Sequence, residues 1–198
     1  MQARTAVMTN FSPGVSKYFG GLKAVIDELD IDHVTGVMER LLAAYRRRAS
    51  VYVFGNGGSA STASHFVNDF NKGVSEQLEA GFRFYCLNDN VPTLMAVAND
   101  ISYDRIFALQ LKNYLQPGDV VIAISGSGNS LNVIEAVRYA NQRGVETIGL
   151  VGFDGGLLKE LAHHCIHVPV DDMQKVEDMH LVINHVMMAL FKEHLEAE

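Results

Sequence analysis

A three-layer α/β/α sandwich built on a five-stranded parallel sheet, preceded by two helices, is the fold this sequence predicts. Three observations carry that expectation. Short, almost wholly apolar runs recur, such as VYVF at 51–54 and DVVIAI at 119–124, as expected of parallel strands covered on both faces. Each run leads through a turn into a helical pattern, so that strands and helices alternate. At 198 residues and 48% hydrophobic, the chain can bury one full core as a single domain.

In order, residues 1–10 read as a loose arm, and 11–49 as two leading helices. Ser12 and Pro13 suit the start of the first, which carries Val15, Phe19, Leu22, Val25, Ile26 and Leu29 at helical spacing over 15–29. Asp30 and Asp32 precede the second, over 33–48, whose closing Arg46, Arg47 and Arg48 offset the helix dipole. After the first strand, GNGGSAS leads into a helix through His65 and Asp69; residues 72–81 read as an exposed loop, and 82–87 as the second strand. Pro92 starts a short helix to Asn99 and Asp100, and another helix covers 103–115. The strand at 119–124 is followed by SGSGNS and a helix over 131–142. ETIGLVG is the fourth strand, FDGG leads to a short helix at 157–162, and 165–170 is the last strand. A long amphipathic helix over 173–195 closes the chain, with Met179, Met187 and Met188 as core filler.

Composition narrows the function. A net charge of −7 argues against a general nucleic-acid or anionic-membrane binder. No run of about 18 apolar residues exists, and the first residues have no continuous apolar segment, so neither a transmembrane helix nor a signal peptide is expected. Cys86 and Cys165, the two cysteines, sit in apolar runs as free thiols, which points to a cytoplasmic protein.

Chemistry concentrates in two turns. In the first, Gly55, Gly57 and Gly58 let the backbone approach a ligand, and Ser59 and Ser61 fall at a helix start, where free N–H groups favour an anion. The second, SGSGNS at 125–130, follows another buried strand, and ligands of open α/β sheets bind at the carboxyl ends of the strands. GNGGSA matches the dinucleotide fingerprint G-x-G-x-x-A, but two helices precede its strand and no acidic residue closes a strand about 20 residues later. A P-loop signature is lacking. Two serine-rich loops on separate strands fit a small phosphate ester. His65 and Asp69, four apart on one helical face, add a metal or proton-transfer pair. His163, His164 and His167 flank a strand edge and read as structural or surface residues.

GNGGS with a following His, together with S-x-S-G-N-S, resembles the sugar isomerase (SIS) domain, a flavodoxin-like fold, and within it the phosphoheptose isomerases. The resemblance runs from about residue 15 to the end and includes AND at 98–100, where the family has GND, and the FDGG turn. It implies conversion of sedoheptulose 7-phosphate to D-glycero-D-manno-heptose 7-phosphate. It also implies metal binding, as Zn(2+) or another divalent ion, by His65, Asp69, Glu177 and His185, with Asp69 and His185 catalytic. Asn56, Gly57, Gly58, Ser59, Asn99, Asp100, Ser125, Gly126, Ser127, Ser130 and Glu177 fall where the family binds substrate. A homotetramer with active sites at subunit interfaces is implied as well. The chain departs from the family at Asp69 (Glu there), Glu177 (Gln), Gly126 (a hydroxyl residue) and Gln174 (usually Asp). A SIS isomerase of a different sugar phosphate, or a non-catalytic phosphosugar-binding regulator or replication-initiator adaptor, are the alternatives.

Overall fold

The computed structural model describes residues 10–197, so all but the last position of the expected arm lies outside the described residues. Two helices lead: α1 (Ser12–Asp27), with Pro13 in its first turn, and α2 (Ile31–Arg46), capped by the Asp30 side chain accepting from the His33 amide. Then follow β1 (Val51–Gly55), α3 (Gly58–Asn68), β2 (Phe84–Cys86), α4 (Val91–Asp100), α5 (Ala108–Tyr114), β3 (Val120–Ser125) and α6 (Leu131–Gln142). β4 (Glu146–Val151), α7 (Gly156–Leu161), β5 (His164–His167) and α8 (Met173–Glu196) complete the chain. All neighbouring strands pair in parallel, in the order β2-β1-β3-β4-β5.

That order explains the strand sequences. Alternate side chains of each strand point to opposite faces. Val51 and Val53 of β1, with Ile122 of β3 and Ile148 of β4, join the core under α2, α3 and α8. Tyr52 and Phe54, with Val121 and Ala123, join a second core under α5 and α6. With both faces covered, no position within β1 or β3 can be polar at low cost, hence the continuous apolar runs. The order also places a switch point between β1 and β3, the crevice where such sheets bind ligands.

The structure departs from expectation between α3 and β2. The segment expected as an exposed loop continues α3 as a π-helical turn, Asp69–Val74, and a 3-10 turn, Ser75–Gln77. Asn71 fastens this turn to the sheet edge, donating to the Phe84 carbonyl at 2.8 Å and accepting from the Phe84 amide at 2.9 Å. Phe70 stacks on Phe84 and meets Phe82 and Phe191 edge-on. The helix expected over 103–115 is divided into a 3-10 turn, Tyr103–Arg105, and α5. Met179 and Met187 are buried in the core, as anticipated for filler. Arg47 and Arg48 bind the carbonyls of Gly118 and Gly81 and so tie loops at the foot of the sheet. No helix among the described residues is long and apolar enough to cross a membrane.

Candidate active site

The first loop turns at Gly57, whose φ of 55° and ψ of −122° exclude most side chains. α3 begins at once, and no side chain caps it. The second loop ends in α6, and the Ser130 hydroxyl leaves that helix uncapped too, pairing with the Ser125 hydroxyl at 3.3 Å. By contrast, Asp30, Asn90 and Asp172 cap α2, α4 and α8. The first amides of α3 and α6 thus have no capping side chain, and buried Ser59 and Ser125 stand beside them, an arrangement that favours an anion.

Two contacts hold these loops in place. Asn56 and Asn132 exchange side-chain hydrogen bonds at 2.8 and 2.9 Å, and the Tyr103 hydroxyl donates to Asn56 Oδ1 at 3.0 Å. The first loop is thus pinned to the start of α6. The second loop is wedged against the FDGG turn: a Cβ on Gly128 would overlap the Gly155 carbonyl, and Gly128 has a φ of 66°. The Leu158 amide donates to the Gly128 carbonyl at 2.9 Å, and the Leu157 amide to Asn129 Oδ1 at 3.0 Å. At Gly126 a Cβ would stand 2.5 Å from Met173 Sδ, so the start of α8 occupies the space a hydroxyl side chain would need. Asn99 and Asp100 are exposed at the end of α4 and bond to each other at 2.7 Å.

α8 lies beside α3 within the same chain and runs in the same direction, bringing His185 to His65 and Asp69. The ring nitrogens His65 Nε2 and His185 Nε2 are 3.0 Å apart, and Asp69 Oδ2 lies 3.3 Å from the first and 3.6 Å from the second. Donors around a tetrahedral zinc ion stand about 3.3 Å apart, given bonds of 2.0–2.1 Å. The three atoms therefore fit one face of such a site, and they form the metal-competent group found among the described residues. The Asp69 side chain is only 7% exposed, while His65 and His185 are 41% and 51% exposed, which leaves the fourth position facing outward.

Glu177 does not join this group. Its carboxylate lies over Gly58 at the start of α3, where an added Cβ would overlap it. The reason is helical geometry: eight residues separate Glu177 from His185, a rise of about 12 Å. His180, five residues before His185, is turned to the opposite side of α8 and fully buried. It pairs with the Val151 carbonyl at 3.3 Å, and burial lowers its pKa to about 4, so the ring is neutral and donates from Nε2.

Two residues at the site carry no motif. Asn184 is fully buried and donates to Asp69 Oδ2 at 2.7 Å. Tyr103 reaches the first loop from the 3-10 turn. The one hint of Asn184 in the sequence is a polar residue four positions after His180 on an otherwise apolar helix face. The three histidines around β5 bond within the fold: His163 to Thr147, His164 to Glu146, and His167 to Lys159 and the Phe153 carbonyl. Cys86 and Cys165 are free and half-buried, and burial raises their thiols to about 12 and about 11, so both stay protonated.

A family model described as SIS domain matches residues 17–152. A probable phosphoheptose isomerase of Thermoplasma acidophilum is 36% identical over 165 residues, 83% of this chain and 90% of that protein. A phosphoheptose isomerase of Rhodospirillum rubrum is 37% identical over 153 residues, 77% of this chain and 81% of that one. Among solved structures, the phosphoheptose isomerase GmhA from Neisseria gonorrhoeae superposes with a TM-score of 0.86 at 26% identity, covering 93% of this chain and 100% of that one.

Proposed function

The chain belongs to the SIS-domain family, among its phosphoheptose isomerases, and on that premise we propose that it is a phosphosugar aldose–ketose isomerase. Its substrate is sedoheptulose 7-phosphate, which it converts to D-glycero-D-manno-heptose 7-phosphate. Support comes from the His65–Asp69–His185 triangle, two of whose members, His65 on α3 and Asp69 directly after it, follow the first serine loop along the chain. His65 lies two helical turns beyond Gly58, about 10 Å along the axis. A substrate spanning both places carries its reacting carbons at the end opposite its phosphate, as this heptulose does.

In this reading the amides and hydroxyls of Ser59, Ser125, Ser127 and Ser130 hold the phosphate, with Asn56, Gly57, Gly58 and Gly126 shaping the walls and Asn99 and Asp100 at the rim. Asp69 takes the proton from C1 of the ketose and returns it at C2, while His185 moves the proton between the two oxygens. Zinc held by His65, Asp69 and His185 would polarise the substrate oxygens. Glu177, beside the first loop, faces the sugar rather than the metal. The whole chain serves as one SIS domain in the cytoplasm, with α1 and α2 used in assembly. A homotetramer would cover the apolar residues exposed on α1 (Val15, Phe19, Ile26) and α8 (Val182, Val186, Leu190), which lie at helical spacing and have no cover in the single chain.

The test is turnover of sedoheptulose 7-phosphate in deuterated water, with and without added zinc. Formation of the aldose with zinc is expected; absence of product in every metal form would refute the isomerase. A different sugar phosphate is the second reading, favoured by Met173 over Gly126. Faster turnover of another member of a substrate panel would select it.

A further inference from the structure

Asn184 and His185 are consecutive on α8 and face opposite sides of one carboxylate. His185 approaches Asp69 from the open side, and Asn184 from the core. The Asn184 amide gives its N–H to Asp69 Oδ2 at 2.7 Å, whereas its own carbonyl oxygen is buried and has no partner among the described residues. A buried amide paired at one end is a poor packing choice, because an apolar residue of similar size would leave no polar atom unsatisfied. The residue is therefore placed for its N–H. The oxygen it holds is the one that faces both imidazoles, while Asp69 Oδ1 accepts from Asn68 Nδ2 at 3.3 Å.

An aspartate carboxylate turns easily about its last bond, whose torsion is broad and two-fold. Asp69 also stands at the first position of the π-helical turn, where the backbone is wound more loosely than in α3. Neither feature fixes Oδ2 toward the histidines. The hydrogen bond from Asn184 does.

We propose that Asn184 is a positioning residue: its side-chain N–H locks Asp69 so that Oδ2 converges with His65 Nε2 and His185 Nε2, and so sets the affinity of the triangle for a divalent ion. The proposal rests on the isomerase reading for its catalytic consequence, and on the triangle alone for its metal consequence. Loss of a partner that orients a metal ligand lowers metal affinity or activity about 10- to 100-fold.

Two variants of the full chain test it, Asn184→Leu and Asn184→Ser, with Co(2+) as probe in competition with a chromophoric chelator. Both should keep the parent's far-ultraviolet circular dichroism, bind Co(2+) at least about 10-fold more weakly, and lose kcat while the KM for sedoheptulose 7-phosphate stays within about two-fold. In an Asp69→Asn background, Asn184→Leu should weaken Co(2+) binding no further, since it acts only through that carboxylate. Unchanged Co(2+) affinity in either folded variant would overturn the proposal, and so would additive losses in the double variant. A parent that binds no Co(2+) overturns it as well. A parent that binds Co(2+) but isomerises no sugar phosphate overturns the isomerase reading instead, and the affinity comparison still decides the role of Asn184.

Discussion

Replacing His180 by Leu should make the protein more resistant to mild acid than the parent. The imidazole is fully buried, and burial lowers its pKa from 6.5 to about 4. Above pH 6.5 it is neutral in the folded and the unfolded chain alike and contributes no pH dependence. Between about 6.5 and 4 the unfolded chain takes up a proton that the folded chain refuses, so stability falls with pH. Below about 4 both forms hold the proton and the loss levels off. With these two values, the loss between pH 7 and pH 5 is about 2 kcal/mol per chain. The leucine variant lacks this loss. Its baseline at pH 7 should lie within about 1.5 kcal/mol of the parent, the worth of one hydrogen bond, because the Val151 carbonyl still accepts from the Val168 amide at 2.9 Å. Guanidinium unfolding of both proteins at equal concentration, at pH 7 and pH 5, measures the difference; equal concentration matters because subunit association adds to apparent stability. Other titrating groups are shared and cancel. A stability gap that is the same at both pH values would refute the assignment of a neutral buried imidazole.

Replacing Ser59 and Ser127 together by Ala should weaken binding of the phosphosugar more than about tenfold, or about 1.4 kcal/mol; calorimetry showing an unchanged Kd would remove the serine loops from the site. Gly128→Ala forces a left-handed backbone on alanine and drives its Cβ into the Gly155 carbonyl. It should destabilise the fold by about 2 kcal/mol or more, lowering Tm by about 5 °C or more, and thermal melts that overlay the parent would contradict the wedge between the two turns. Val186→Glu, on the exposed apolar stripe of α8, should shift the assembly to smaller species in light scattering, while a parent that is already monomeric at micromolar concentration would refute the tetramer.

Most of the fold was legible because the central strands β1, β3 and β4 are buried on both faces and carry no alternation to confuse them with a helix. β3 and α6 fall within a residue of where their sequences place them. The π-helical turn at Asp69 was not legible: DFNKG reads as a helix end followed by a loop, and a looser winding leaves no mark in residue preference. What holds it is the bond of Asn71 to a strand edge thirteen residues away, a long-range fact. His65 and Asp69 could be paired from their spacing alone, since residues four apart share a helix face. The spacing of Glu177 and His185 carried the opposite message. Eight residues place them more than two turns apart, and the family pattern outweighed that geometry in the sequence reading. Asn184 went unremarked because its partner is 115 positions distant, and next to a histidine it looks like an ordinary helix residue.

The triangle and the serine loops both touch α8, whose start packs on Gly58 and Gly126, but otherwise rest on different elements. The loops hang from β1 and β3, in the middle of the sheet, and are fastened to each other and to the turn before α7. The triangle exists only while α8 lies against α3, since it takes one of its three members from α8. A local shift of one helix against another needs less free energy than melting a central strand. Such a shift in α8 would open the triangle while the loops stay fastened, so the proposed proton transfer is more easily lost than the proposed grip on a phosphate. In the proposed assembly, partner subunits packed against the exposed stripe of α8 would hold that helix in place, and so would support proton transfer more than phosphate binding.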